Sequence, residues 1–108
     1  MAKVKISSKE QFEKLINEHS KFLVMKHSLT CPISSSAFKE FEKYNNENEE
    51  LQIFYLYVQE SRALSNFIAE KYSTKHESPQ VLLVKDGKVI WHASHWNITY
   101  DTLKKQVG

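Results

Sequence analysis

Two short runs, Phe22-Leu23-Val24-Met25 and Ile53-Phe54-Tyr55-Leu56-Tyr57-Val58, are apolar at every position. A strand can be apolar on both faces only when both are covered, and helices are the usual cover. The intervening segments have the spacing to provide it. Phe12, Leu15, Ile16 and His19 predict a first helix reaching about Ser20, capped by Ser7 with Glu10 at the capping-box position. Ile33, Ala37, Phe38, Phe41 and Tyr44 form a second stripe, and Leu64, Phe67, Ile68 and Tyr72 a third. Val4-Ile6 is a short strand ahead of them. Asn45-Asn46-Glu47-Asn48-Glu49-Glu50 suits a polar helix end and loop.

The pattern then changes. Val81-Leu82-Leu83-Val84 and Val89-Ile90-Trp91 flank Lys85-Asp86-Gly87-Lys88, and an Asp-Gly pair between apolar runs signals a hairpin. Thr99 is placed to cap a last helix carrying Leu103 and Val107. The predicted order is β-α-β-α-β-α-β-β-α, an α/β fold with a mixed sheet of about five strands and helices on both faces. Strands separated by helices are expected to pair in parallel through right-handed crossovers, and the final hairpin antiparallel. The 108 residues suit a single domain, 1–108.

Composition narrows the function. Fifteen Lys/Arg against thirteen Asp/Glu, interleaved along the chain, argue against a nucleic-acid footprint, which needs a clustered basic face. The first residues contain no apolar signal segment. No apolar run approaches the roughly 20 residues that span a bilayer. A soluble, cytoplasmic, monomeric protein with no membrane partner is the expectation. Cys31 is the single cysteine, so neither an intrachain disulfide nor a zinc-finger ligand set can form.

The surroundings of Cys31 are unlike those of an inert core thiol. Proline is favoured at the first helical position, so Pro32 makes Cys31 a helix cap. The sulfur is then placed to accept from the backbone N–H groups of Ile33 and Ser34, with the positive end of the helix dipole behind them. Both effects favour thiolate and predict a pKa below the roughly 8.5 of free cysteine. The turn between a strand and the following helix is also where α/β sheets form ligand crevices. Ser34 stands where a redox dithiol would carry its second sulfur. Its hydroxyl can donate to the thiolate but cannot attack a mixed disulfide, so the chemistry is one-thiol exchange.

Ser78-Pro79 directly precedes the Val81-Val84 strand. Taken alone it reads as an ordinary trans bond at a strand entry. Beside a capping Cys-Pro and this order of elements, it resembles the thioredoxin superfamily, in which a cis proline faces the active cysteine. In that fold the preceding residue offers backbone hydrogen bonds to an extended substrate. The resemblance covers essentially the whole chain. Thr30-Cys31-Pro32-Ile33-Ser34 and Ser94-His95-Trp96-Asn97-Ile98-Thr99 further resemble the monothiol bacilliredoxins, the YtxJ-like family.

That resemblance implies a thiol–disulfide oxidoreductase with bacillithiol as co-substrate and no tightly bound cofactor. The Cys31 thiolate would take bacillithiol from mixed disulfides on client proteins, and an external thiol would then resolve the adduct. Thr30, Ser78, Pro79, His95 and Trp96 would contact substrate. A protonated His95 would stabilise the thiolate or bind a bacillithiol carboxylate; the plainer reading is a solvent-exposed loop histidine. Trp96 is either a flat wall for the bound thiol or client, or a cap on the core. His27 reads as structural, and His76 lies in the loop before Ser78, where it could face the ligand. His92 and His95 have a spacing some metal sites use, but without further ligands no metal is expected.

Other readings remain open on the residues alone. One is an iron–sulfur carrier like the monothiol glutaredoxins, against which Pro32 stiffens a turn that typically holds glycine there. Another is a binding module with a vestigial cysteine. An arsenate-reductase-like activity lacks an arginine cluster, since Arg62 is the lone arginine.

Overall fold

The structure is a computed structural model that describes residues 3–28, 32–47 and 51–107. Its elements are β1 (Lys3–Lys5), α1 (Lys9–Ile16), β2 (Lys21–His27), α2 (Pro32–Glu47), β3 (Gln52–Tyr57), α3 (Arg62–Lys71), β4 (Gln80–Lys85), β5 (Lys88–Ser94), a 3-10 turn (His95–Asn97) and α4 (Tyr100–Val107). The sheet is five-stranded, in the order β1-β3-β2-β4-β5.

Alternation along the strands sorts the core onto two faces. Phe22, Val24, Phe54, Leu56, Leu82 and Val84 pack beneath Phe12 of α1 and Leu64 and Ile68 of α3. Leu23, Met25, Ile53, Val81 and Leu83 pack beneath Ala37 and Phe41 of α2 and Leu103 and Val107 of α4. The runs without polar positions are therefore the strands that touch helices on both sides. Phe12 organises the first face, with its ring edge-to-face against Phe22, Phe54, Phe67 and Tyr72 at 6.2–6.5 Å.

One expectation about topology is overturned. β1 and β2 both run parallel to β3, as helical crossovers require. β4 also follows a helix, yet it runs antiparallel to β2, with Lys26 opposite Gln80 and Lys21 opposite Lys85. The reason is the irregular stretch 72–79 after α3. It carries the chain back to the end of the sheet where β2 finishes, so β4 starts there and runs the other way. Only a direct helix-to-strand connection would have enforced parallel pairing.

Smaller corrections concern α1. Its cap is Ser8, not Ser7: Ser8 Oγ accepts from the Gln11 backbone N–H at 3.1 Å, while Gln11 Oε1 accepts from the Ser7 N–H at 2.9 Å. The capping exchange sits one residue later and uses Gln11 rather than Glu10. The helix also ends at Ile16 instead of Ser20. Glu18 N–H to Leu15 O and His19 N–H to Ile16 O close it in tightened turns, from which the His19 ring reaches Phe54 at 5.9 Å.

The hairpin and the last cap agree with expectation. Asp86 and Gly87 take φ of 51° and 81°, the left-handed pair of a two-residue turn that matches strand twist. Thr99 Oγ1 accepts from the Thr102 N–H at 3.1 Å. Among the described residues, no helix is long and apolar enough to cross a membrane.

Because Phe12 is fully buried among four rings, Phe12→Ala is expected to destabilise the fold by roughly 3–5 kcal/mol. Urea denaturation monitored by far-UV circular dichroism would measure it, and a loss below about 1 kcal/mol would contradict this account of the core.

Candidate active site

β2 and β3 end, and β4 begins, at one end of the sheet. The backbone shows this directly: His27 pairs with Tyr57, Lys26 with Gln80, and the Val58 N–H donates to His27 O at 2.9 Å. Beyond β2 the chain continues through Ser28 toward α2; Thr30 and Cys31, the expected substrate contact and nucleophile, lie outside the described residues. α2 begins at Pro32, as the proline rule requires. Its first turn carries no acidic side chain, so no carboxylate offsets the dipole at the end where Cys31 is attached.

Ser34 is fully buried. Its Oγ accepts from the Ser28 N–H at 3.3 Å, tying the two flanks of the cysteine turn together. A hydroxyl that accepts one bond still has its own proton to donate. Gln59, just past β3, donates to Ser28 Oγ at 2.7 Å and steadies the same flank.

The Ser78-Pro79 peptide is cis. Pro79 is buried at this end of the sheet, and its carbonyl accepts from the His95 N–H at 3.1 Å. Ser78 Oγ is buried with no hydrogen-bond partner among the described residues. His95 opens the 3-10 turn with φ of 54°, a conformation histidine tolerates better than most residues. Its Nδ1 lies 3.9 Å from Glu77 Oε2. A hydrogen bond from Ser94, aided by His95, Lys75 and His92, holds the Glu77 carboxyl below the usual carboxylate range. Glu77 therefore faces His95 as an anion.

Trp96 is 68% exposed, which removes the core-capping alternative. Together with His95 it walls an open groove of about 360 Å³ against Ser36, Ala37, Lys39 and Glu40 of α2. Pro32, Ser36 and Lys39 follow each other at helical spacing, so the groove starts one turn beyond the beginning of α2.

The remaining histidines divide clearly. His27 packs its ring on Phe38 at 4.5 Å and Tyr57 at 5.5 Å, which is the structural role expected of it. Burial, followed by the charge of Lys3, pushes its pKa down. His76 turns away from the ligand side. Its Nδ1 meets Lys26 Nζ at 3.2 Å and Ser65 Oγ at 3.0 Å on the α1/α3 face, and burial, Lys26 and Arg62 lower its pKa against the opposing pull of Glu77. Among the described residues no three His, Cys, Asp or Glu side chains gather to hold a metal.

Sequence reading missed Gln59, Glu77 and Lys26. Only Lys26 left a usable signal: a lysine ending an apolar run at an inward-facing position of β2.

The comparisons with known proteins agree with this geometry. A family model described as monothiol bacilliredoxin BrxC matches residues 4–103. A solved structure assigned provisionally as an oxidoreductase with a thioredoxin fold superposes with a TM-score of 0.89 at 40% identity, covering 98% of this chain and 94% of that one. Fasciola hepatica thioredoxin gives 0.76 at 22% identity over 96% and 95% of the two chains. Mitochondrial thioredoxin 3 from Saccharomyces cerevisiae, in its oxidised form, gives 0.75 at 18% identity over 94% and 90%. The last two share the fold.

His27 and His76 are both held below the ordinary histidine value of 6.5. The unfolded chain then binds protons that the folded chain refuses, so stability present above that value is lost as pH falls from it toward the folded pKa values. Urea midpoints are expected to decline from about pH 7 to about pH 5, and His27→Gln combined with His76→Asn should flatten the decline. An unchanged slope in the double variant would contradict the assignment.

Proposed function

Because the chain belongs to the monothiol bacilliredoxin family and has the fold of a thiol oxidoreductase, we propose that it removes bacillithiol from protein mixed disulfides. One observation carries the reading: a Cys-Pro entry into an acid-free helix N-terminus lies at the same end of the sheet as the cis Ser78-Pro79 bond. The helix end and Ser34 favour a thiolate on Cys31, and the backbone at Ser78 offers an edge along which an extended client can lie.

The exchange balances with one sulfur on the protein. The Cys31 thiolate attacks the bacillithiol sulfur of a client mixed disulfide. The S–S bond to the client breaks, and the client leaves as thiolate with the electron pair of that bond. Cys31 then carries bacillithiol in a new disulfide. A second thiolate, from outside, attacks the bacillithiol sulfur and releases Cys31. Net, the client is reduced and the resolving thiol is left joined to bacillithiol.

Exposed Trp96 supplies a flat apolar surface in the groove along α2, and His95 a group able to pair with a carboxylate of the small thiol. Bacillithiol is thus a co-substrate rather than a resident cofactor. The protein works as a monomer in a reducing, cytoplasmic compartment, on bacillithiolated proteins of the kind oxidative stress produces.

Incubation with oxidised bacillithiol should give one mass adduct, mapping to Cys31 and absent from Cys31→Ala. The pH dependence of alkylation should place the Cys31 pKa below the roughly 8.5 of free cysteine. An unmodified protein, or a pKa at or above that value, would overturn the reading. Trp96→Ala should weaken client binding several-fold while leaving alkylation unchanged.

A further inference from the structure

Lys26 is the least expected side chain in the core. It lies at the C-terminal end of β2, fully buried, on the face occupied by Val24, Leu64 and Ile68. An ammonium there is costly unless its protons are bonded, and a methionine would fill similar space without that cost. What the lysine adds is a set of directed bonds. Nζ donates to the Ser65 carbonyl of α3 at 3.0 Å and to His76 Nδ1 at 3.2 Å.

His76 stands two residues before Ser78. The main chain of Lys26 pairs with Gln80, one residue after Pro79. Lys26 therefore grips the segment on both sides of the cis bond, by backbone beyond it and by side chain before it. The buried Gln80 side chain closes the same loop by donating to Lys75 O at 2.9 Å. Within this arrangement Lys26 Nζ makes the charge-assisted contact.

We propose that Lys26 is a positioning residue for thiol exchange: through His76 it fixes the Ser78-Pro79 backbone along which the client lies, without touching the reacting sulfurs. The inference rests on the client-binding reading of Ser78-Pro79 given above.

The protonation states are compatible. Burial lowers the Lys26 pKa to about 8, so the group is mostly an ammonium at neutral pH. Burial, then Lys26 from β2 and Arg62 from α3, hold the His76 pKa below its ordinary value against the pull of Glu77. Because an ammonium can only donate, Nδ1 is the acceptor toward Lys26 Nζ, with Ser65 Oγ also 3.0 Å from it. The grip is strongest while Lys26 is charged and weakens as pH rises through about 8. Thiolate chemistry moves in the opposite direction, gaining with pH until the thiol is ionised. The ratio of client exchange to simple alkylation of Cys31 therefore isolates the positioning effect.

The experiment uses the full chain and an unstructured peptide with one cysteine in mixed disulfide with bacillithiol. Single-turnover exchange is followed against peptide concentration and pH, alongside alkylation by iodoacetamide. In the wild type the exchange-to-alkylation ratio should fall through about pH 8. Lys26→Met should melt no lower at pH 7 and alkylate at the wild-type rate. Its half-saturating peptide concentration should rise roughly fivefold, the equivalent of one hydrogen bond, and the alkaline fall in the ratio should vanish. His76→Leu should reproduce this, and His76→Asn, which keeps an acceptor near the Nδ1 position, should restore wild-type behaviour. An unchanged half-saturation and ratio profile in Lys26→Met would overturn the proposal, as would exchange and alkylation slowing together. Should Lys26→Met not fold, identical behaviour of His76→Leu and His76→Asn would overturn it instead. A wild type that alkylates but never exchanges would instead sink the parent reading of client chemistry.

Discussion

The antiparallel pairing of β4 with β2 is the constraint on which the site depends. With Gln80 opposite Lys26 and Lys85 opposite Lys21, β4 begins where β2 ends. Pro79 is thereby delivered to the end of the sheet where α2 starts at Pro32. The hairpin then returns β5 to the same end, because Ser94 pairs with Gln80, and the turn at His95–Asn97 follows beside it. Had β4 run parallel to β2, Ser78-Pro79 would lie at the opposite end of the sheet, a full strand length from the cysteine turn. The same residues would then have no common chemistry.

Stability and reactivity are separated in space by this arrangement. The two apolar faces, centred on Phe12 and on Phe41, hold the sheet between its helices. The groups with chemical potential lie past the strand ends, where backbone N–H and C=O groups are no longer used by the ladder. Ser34 and Ser28 bond across the cysteine turn, and His95 bonds to Pro79, so local polar contacts there replace ladder pairing. Buried Lys26 departs from this division: among the described residues it is the charged side chain buried within an apolar face, and it is bonded to the loop that enters β4.

Much of this was legible in the sequence, for identifiable reasons. Doubly apolar strands, helical stripes, the Asp86-Gly87 turn and the Thr99 cap are local signals, and local physics decided them. Pro32 marked the start of α2 because its missing N–H suits that position alone. The direction of β4 was not legible from element order, since it depends on how the stretch 72–79 travels and not on the elements it joins. Ser78-Pro79 held the missing information: the resemblance to a fold whose cis proline faces the cysteine implies a β4 that starts where β2 ends, and the pairing has that sense. The cap of α1 shifted to Ser8 because Gln11, rather than Glu10, reaches back to the chain. His76 was visible as a loop histidine, but its inward turn required knowing that Lys26 waited beneath it.

A chain with one cysteine faces a limit that a dithiol protein does not. In a dithiol site the second sulfur is held nearby, and its high effective concentration clears the mixed disulfide whatever the surroundings. Ser34 occupies that place here, buried and engaged with Ser28, and oxygen cannot perform the attack. On the proposed mechanism an adduct on Cys31 must therefore meet a thiol from solution, which sets a requirement on exposure. The neighbourhood meets it: Pro32 is exposed, Trp96 is exposed, and the groove along Ser36 and Lys39 is open to solvent. The buried Ser34 and the open groove along α2 are then two halves of one requirement. On the proposed mechanism the first favours a thiolate, and the second lets a different molecule enter for each half of the exchange.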